Sequence, residues 1–182
     1  MVDRESAFSM NESRIAVEQA QIISKCVREY GMVTRETVIT DGTALIGGNV
    51  FEFGTLFKGI NAIEVDSNRV QMLANNVELL GLSTRVGVWH GDISKVAVAH
   101  TTNLRQDFLF LDPPWGGPDY WKQYKLCLLL NNMSLCQVCN MWANSTRLIA
   151  LKLPCNFDYV EFFHNTNPAE PRKTAGVWLC RL

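Results

Sequence analysis

The chain has 182 residues, 47% hydrophobic and 19% charged, with a formal net charge of -1. That balance excludes a disordered or fibrous polypeptide and fits a single domain spanning 1–182, large enough to bury a core without disulfides or metals. It also argues against generic polyanion binding, which needs clustered Lys and Arg, while a few local charges still suffice for a small anionic ligand.

The opening MVDRESAFSM has no basic start followed by an apolar core, and no stretch approaches the roughly eighteen apolar residues of a membrane span. An intracellular protein without a membrane anchor is expected. Of six cysteines only Cys136 and Cys139 form a CxxC, and no second ligand pair sits at matching spacing, so free thiols and no metal are expected.

Over 12–30 the apolar residues Ile15, Ala16, Ala20, Ile23, Val27 and Tyr30 recur at threes and fours, which predicts a helix capped by Asn11 or Ser9 and stopped by Gly31. Residues 1–35 then form a helical N-terminal segment. Short β-type runs follow at 37–41, 60–65, 85–89, 107–111 and 147–151, with helical stretches at 48–57, 68–80 and 120–142 between them. This alternation predicts an α/β fold, a parallel sheet wrapped by helices through right-handed crossovers. The tail departs from the rhythm: 157–163 and 176–182 read as an antiparallel hairpin at one sheet edge.

Chemistry-bearing residues gather where these strands end. After the first strand, "VITDGTALIGGNVFEF" sets Asp41 before a small-residue turn, and Gly47, Gly48 and Asn49 open the next helix. A ligand can lie on such bare backbone at a helix N-terminus, although any tight strand-to-helix turn also uses glycines. The second strand ends "AIEVD", where an acid can accept from ribose hydroxyls; Glu64 is preferred for that task and Asp66 for capping the next helix. Asp92, after the third strand, suits either an adenine amine or a helix cap.

The fourth strand runs into "FLFLDPPWGGPDYW". Asp112 sits where an open parallel sheet places its ligand crevice. Pro113 and Pro114 fix φ and remove two backbone donors, leaving carbonyls that only accept. Acceptors converging on one spot suit an amino group, and Trp115 offers a rigid face for stacking a base. Core packing is the expected fate of Tyr120 and Trp121, closure of the base's other side the alternative.

The glycine turn, the acids after strands two and three, and Asp-Pro-Pro-Trp after strand four together resemble a class I methyltransferase that modifies amino groups. The longer DPPWGGPDY resembles the trimethylguanosine synthase family, RNA cap guanine-N2 methyltransferases, as do "DRESAFSMNESRIA", "GGN" and "LKLPCNFD". The resemblance implies a Rossmann-like fold with a mostly parallel seven-stranded sheet, the C-terminal antiparallel hairpin included, and helices on both faces. It implies S-adenosyl-L-methionine near Asp41, Gly47, Gly48, Asn49, Glu64 and Asp92, catalysis at Asp112 and Pro113, and a 7-methylguanosine cap near Trp115, Asn156, Phe8 and Ser9. Leu45 stands where the family's turn usually has a further Gly. The family's basic segment before Asp-Arg-Glu has no counterpart, so Arg4, Lys152, Arg172 and Lys173 become the candidates for the cap triphosphate. The implied reaction is attack of guanine N2 on the sulfonium methyl. A methyltransferase acting on structural RNA or DNA, a non-catalytic cap-binding module and a nucleotide-dependent dehydrogenase are the rival readings. The expected compartment is nucleus or cytoplasm, the chain's compactness suits a minimal viral version of the family, and a monomer is the default.

Overall fold

The computed structural model describes residues 13–95, 104–166 and 177–180. Helix α1 (Ser13–Glu29) precedes strand β1 (Val38–Asp41), helix α2 (Gly48–Leu56), strand β2 (Gly59–Glu64), helix α3 (Ser67–Leu79) and strand β3 (Val86–His90). Strand β4 (Phe108–Leu111), the short strands β5 (Leu129–Leu130) and β6 (Met133–Ser134), helix α4 (Leu135–Trp142), strand β7 (Leu148–Lys152), helix α5 (Tyr159–Asn165) and strand β8 (Val177–Cys180) complete the order. Six strands form one parallel sheet in the order β3-β2-β1-β4-β7-β8. The chain winds from β1 to one edge, then returns to start again beside β1 with β4. Such a reversal opens a crevice beyond the carboxyl ends of the two central strands.

β4 shows why the sheet is buried on both faces. Phe108 and Phe110 pack with Ile39, Val50, Phe53, Val27 and Ile23 on the side of α1 and α2, whereas Leu109 and Leu111 pack with Val138, Trp142 and Phe162 on the side of α4 and α5. Alternate side chains of a strand leave opposite faces, so the all-apolar FLFL requires two cores. Burying each such side chain fully contributes about 1.5–3 kcal/mol. Trp142 is buried in the second core and its indole N–H donates to the Ile93 carbonyl at 3.0 Å.

The expected α/β architecture, mostly parallel with helices on both faces, is what the chain adopts, but two segments differ from expectation. The helical stretch expected over 120–142, interrupted by Asn- and Ser-rich polar residues, is instead a single 3-10 turn (Tyr120–Lys122), the antiparallel β5–β6 hairpin and α4. Asn131 and Asn132 take φ of 46° and 65°, the two left-handed residues of a tight hairpin turn, a conformation asparagine tolerates. Ser134 then starts α4 through a reciprocal capping box with Gln137.

The C-terminal antiparallel hairpin is also corrected. Over 157–163 the chain enters helix α5, because Asp158 accepts from the Glu161 backbone N–H at 3.1 Å and Tyr159, Phe162 and Phe163 recur at helical spacing. With a helix as crossover, β8 returns parallel to β7, pairing Ala150 with Trp178. The seven-stranded sheet thus has six strands among the described residues, and its antiparallel pair is β5–β6, outside the main sheet.

Candidate active site

The turn after β1 is pinned from several sides. Ala44 N–H donates to the Ile63 carbonyl at 3.0 Å, and the Asn76 side chain donates to the Ile46 carbonyl at 3.1 Å. Gly47 precedes α2 with φ 107°, a left-handed conformation that glycine adopts without strain, and no side chain caps the helix there. Gly48 and Asn49 follow as its first residues. Leu45, the departure from the family's glycine pattern, is itself left-handed with φ 51°. A β-carbon in that region costs about 1–2 kcal/mol, and Glu64 helps hold it: Leu45 N–H donates to Glu64 Oε2 at 2.9 Å.

Glu64 is buried at the end of β2, and its other oxygen accepts from Asp66 N–H at 2.9 Å. Asp66 caps α3 through the N–H groups of Asn68 and Arg69, as expected. Gly91 N–H donates to the Glu64 carbonyl at 2.9 Å, which brings Asp92 to the same rim. Asp92 accepts from Ser94 N–H at 2.9 Å and Ser94 Oγ at 2.7 Å, a capping arrangement, and it also accepts from Asn131 of the β5–β6 turn. Burial pushes its carboxyl up, but the Ser94 and Asn131 hydrogen bonds and Lys95 hold it below its ordinary value.

One bond joins the two central corners. Asp112 N–H donates to Thr43 Oγ1 at 2.8 Å, so the turn after β1 and the Asp-Pro-Pro-Trp corner after β4 lie side by side. Asp112 Oδ2 accepts from Lys152 Nζ at 2.9 Å, a pair whose side chains are only 16% and 10% exposed. That ammonium also lies 5.1 Å from the centre of the Trp115 ring. Trp115 is half-buried against the α4/α5 core and takes the edge of Tyr120 at 5.0 Å and 72°. Asn156 donates through Nδ2 to the Tyr120 and Gln123 carbonyls at 2.9 and 2.8 Å. Among the described residues the buried Trp115 Nε1 and Asn156 Oδ1 meet no partner, a donor and an acceptor that a polar ligand would satisfy.

Asp41 is 1% exposed. Burial pushes its carboxyl up to about 7, the Thr43 backbone N–H opposes this, and the charges of Asp112 and Glu64 add to it. A bound cation would stabilise the ionised form of this buried carboxyl.

A profile of the RNA cap guanine-N2 methyltransferase family matches residues 36–172, from the approach to β1 to beyond α5. The chain belongs to that family. It is 38% identical over 131 residues to an uncharacterized protein of Acanthamoeba polyphaga mimivirus, covering 71% of this chain and 50% of that protein. It is 28% identical over 167 residues to the trimethylguanosine synthase of Schizosaccharomyces pombe, covering 88% and 65%. It is 25% identical over 154 residues to that of Saccharomyces cerevisiae, covering 83% and 47%. The chain thus spans between 47% and 65% of the length of these relatives. The solved structure of EvdMO1 shares the fold with a TM-score of 0.51 at 12% identity, over 72% of this chain and 26% of that one.

Membership in the guanine-N2 methyltransferase family implies S-adenosylmethionine as donor, and the residues fit it. Asp41, Glu64 and Asp112 supply negative potential for a ligand carrying a sulfonium and an ammonium, and Gly47 leaves the α2 terminus without a side-chain cap. Phe8, Ser9, Arg4, Arg172 and Lys173 lie outside the described residues. Lys152, one of the four candidates for the cap triphosphate, pairs with Asp112 and lies over the Trp115 ring. Thr43 escaped the sequence reading; its only signal is a hydroxyl two residues past the strand-end Asp41. No helix among the described residues is long and apolar enough to cross a membrane.

Proposed function

We propose that the chain transfers a methyl group from S-adenosylmethionine to the exocyclic N2 of the 7-methylguanosine RNA cap. The 2.8 Å bond from Asp112 N–H to Thr43 Oγ1 carries this reading, because it keeps the donor turn and the acceptor corner within one crevice. When bound, the cofactor supplies a methyl group on a positively charged sulfur. Glu64 receives the ribose hydroxyls, Asp92 the adenine amine, and Asp41 with the Gly47–Asn49 turn the methionine end.

The chain contributes position rather than covalent chemistry. The lone pair of guanine N2 is delocalised into the ring, so the amine must pyramidalise before it attacks. The Asp112 carboxylate, oriented by Lys152, and the Pro113 carbonyl accept hydrogen bonds from its two N–H groups and favour that geometry as positive charge develops, and the methylated amine then releases one proton to solvent. Trp115 stacks the base, and the charge of a 7-methylated purine adds about 1–2 kcal/mol of cation–π attraction. Asn156 Oδ1 is an acceptor for the purine's edge, and Trp115 Nε1, whose N–H lies in the ring plane, is a donor for groups beside the stack such as the ribose.

One observation favours a second reading. Lys152 already sets an ammonium 5.1 Å from the Trp115 ring centre, which suits a neutral guanine or adenine of structural RNA or DNA better than a cationic base. Radiolabelled methyl transfer to 7-methyl-GTP and to GTP separates the two, with mass spectrometry of the product giving the methylated atom and the number of methyls. The cap reading expects strong preference for 7-methyl-GTP; equal rates reject it.

A further inference from the structure

Beyond the crevice, the segment that leaves Trp115 has an unusual composition: Tyr120, Trp121, Lys122, Gln123, Tyr124 and Lys125 alternate rings with ammonium groups and contain no aliphatic residue. Core packing was expected for Trp121, yet it is 65% exposed, and Tyr124 is 92% exposed. Tyr120 alone turns inward, onto the edge of Trp115.

The segment is held firmly. Asn156 grips the carbonyls of both Tyr120 and Gln123, and the Tyr120–Trp115 contact anchors its start. Two rings are therefore presented to water on a fixed backbone, immediately outside the proposed base-binding indole. Lys122 lies 5.5 Å from the Trp121 ring centre and pairs with Asp119 at 2.7 Å, both side chains being more than half exposed. Lys125 pairs with Asp158 at 2.9 Å. The exposed Lys122 pair is weak and screened, so that ammonium can turn to a phosphate at little cost, while Lys125, whose partner is only 12% exposed, keeps further N–H donors for a phosphate beside its pair.

We infer that Trp121 and Tyr124 form a stacking platform for the first nucleotides following the cap, with Lys122 and Lys125 meeting their phosphates. This rests on the proposed cap reading and adds where the RNA body runs. Rings interleaved with cations fit single-stranded RNA, since every base has a face to stack and every linkage a charge to meet. Exposed Trp and Tyr also serve protein docking; the lysine that follows each ring in the chain is what favours RNA over a protein partner. The overall charge of -1 agrees with a footprint of a few nucleotides rather than a long basic track.

The test uses the whole chain, with Trp121→Ala/Tyr124→Ala and Trp121→Leu/Tyr124→Leu variants; both positions are exposed, so folding is unaffected. Anisotropy of a labelled, 7-methylguanosine-capped pentanucleotide gives binding, and methyl transfer to 7-methyl-GTP and to the capped oligonucleotide gives kinetics. Both variants are expected to bind the oligonucleotide roughly tenfold or more weakly, while kcat and KM for 7-methyl-GTP stay unchanged. Unchanged oligonucleotide affinity in the Ala variant overturns the platform, as does full retention by Leu, which would mean apolar docking in place of stacking. Oligonucleotide binding that depends on the two rings, without methyl transfer to either substrate, would reject the cap reading and keep the platform.

Discussion

Replacing Asp41 by Asn should stabilise the ligand-free protein at neutral and alkaline pH while weakening cofactor binding. Asn keeps an oxygen for the Thr43 N–H that donates to Asp41 Oδ1 at 3.1 Å, and it removes the charge. In the fold, burial and the neighbouring carboxylates raise Asp41 from its ordinary 3.8 to about 7. The folded chain therefore binds this proton more tightly than the unfolded chain. The associated stability is complete below pH 4 and is lost as pH climbs through 7. At about 1.36 kcal/mol per tenfold in proton affinity, ionised Asp41 costs the fold about 4 kcal/mol at pH 8. Urea unfolding of both proteins should show similar stability near pH 4 and an advantage for Asp41→Asn that grows to several kcal/mol by pH 8. Calorimetric titration should show its affinity for S-adenosylmethionine falling further than its affinity for the uncharged thioether product. A stability difference that does not change with pH, or that favours the wild type at pH 8, would refute the electrostatic argument.

Thr43→Val removes the acceptor of Asp112 N–H and should cost about 1–3 kcal/mol in urea unfolding, with a fall in kcat that Thr43→Ser restores. Trp115→Ala should abolish cap-analogue binding in a fluorescence titration while cofactor affinity changes little, and Glu64→Ala should do the reverse, since its carboxylate also supports Leu45 and Asp66. Lys152→Met breaks a nearly buried pair and should lower stability by about 3 kcal/mol in chemical denaturation, with partial recovery in Lys152→Arg.

Much of the site was legible because its signals are local. Strand ends betray themselves by an acid or a glycine after an apolar run, and Asp41, Glu64, Asp92 and Asp112 were all located this way, at the ends of the strands or within two residues of them. Asp66 as a cap follows from its place before an apolar periodicity. The hairpin at 129–134 was missed because an Asn-Asn turn is a weaker cue than Asn-Gly and each strand has only two residues. Helix α5 was missed because a short aromatic run satisfies both periods until its Asp158 cap is weighed.

What the sequence determined by itself is the succession of strands and helices and the chemical character of each strand end, since periodicity and capping act over a few residues. Tertiary structure alone decided which ends meet. Thr43 and Asp112 are 69 positions apart and Asp112 and Lys152 are 40 apart. The exposure of Trp121 beside the half-buried Tyr120 belongs to the same class. These relations follow from β4 returning to lie beside β1 and from two separate cores covering the sheet's faces, and packing over such distances in the chain leaves no mark in any short stretch of it.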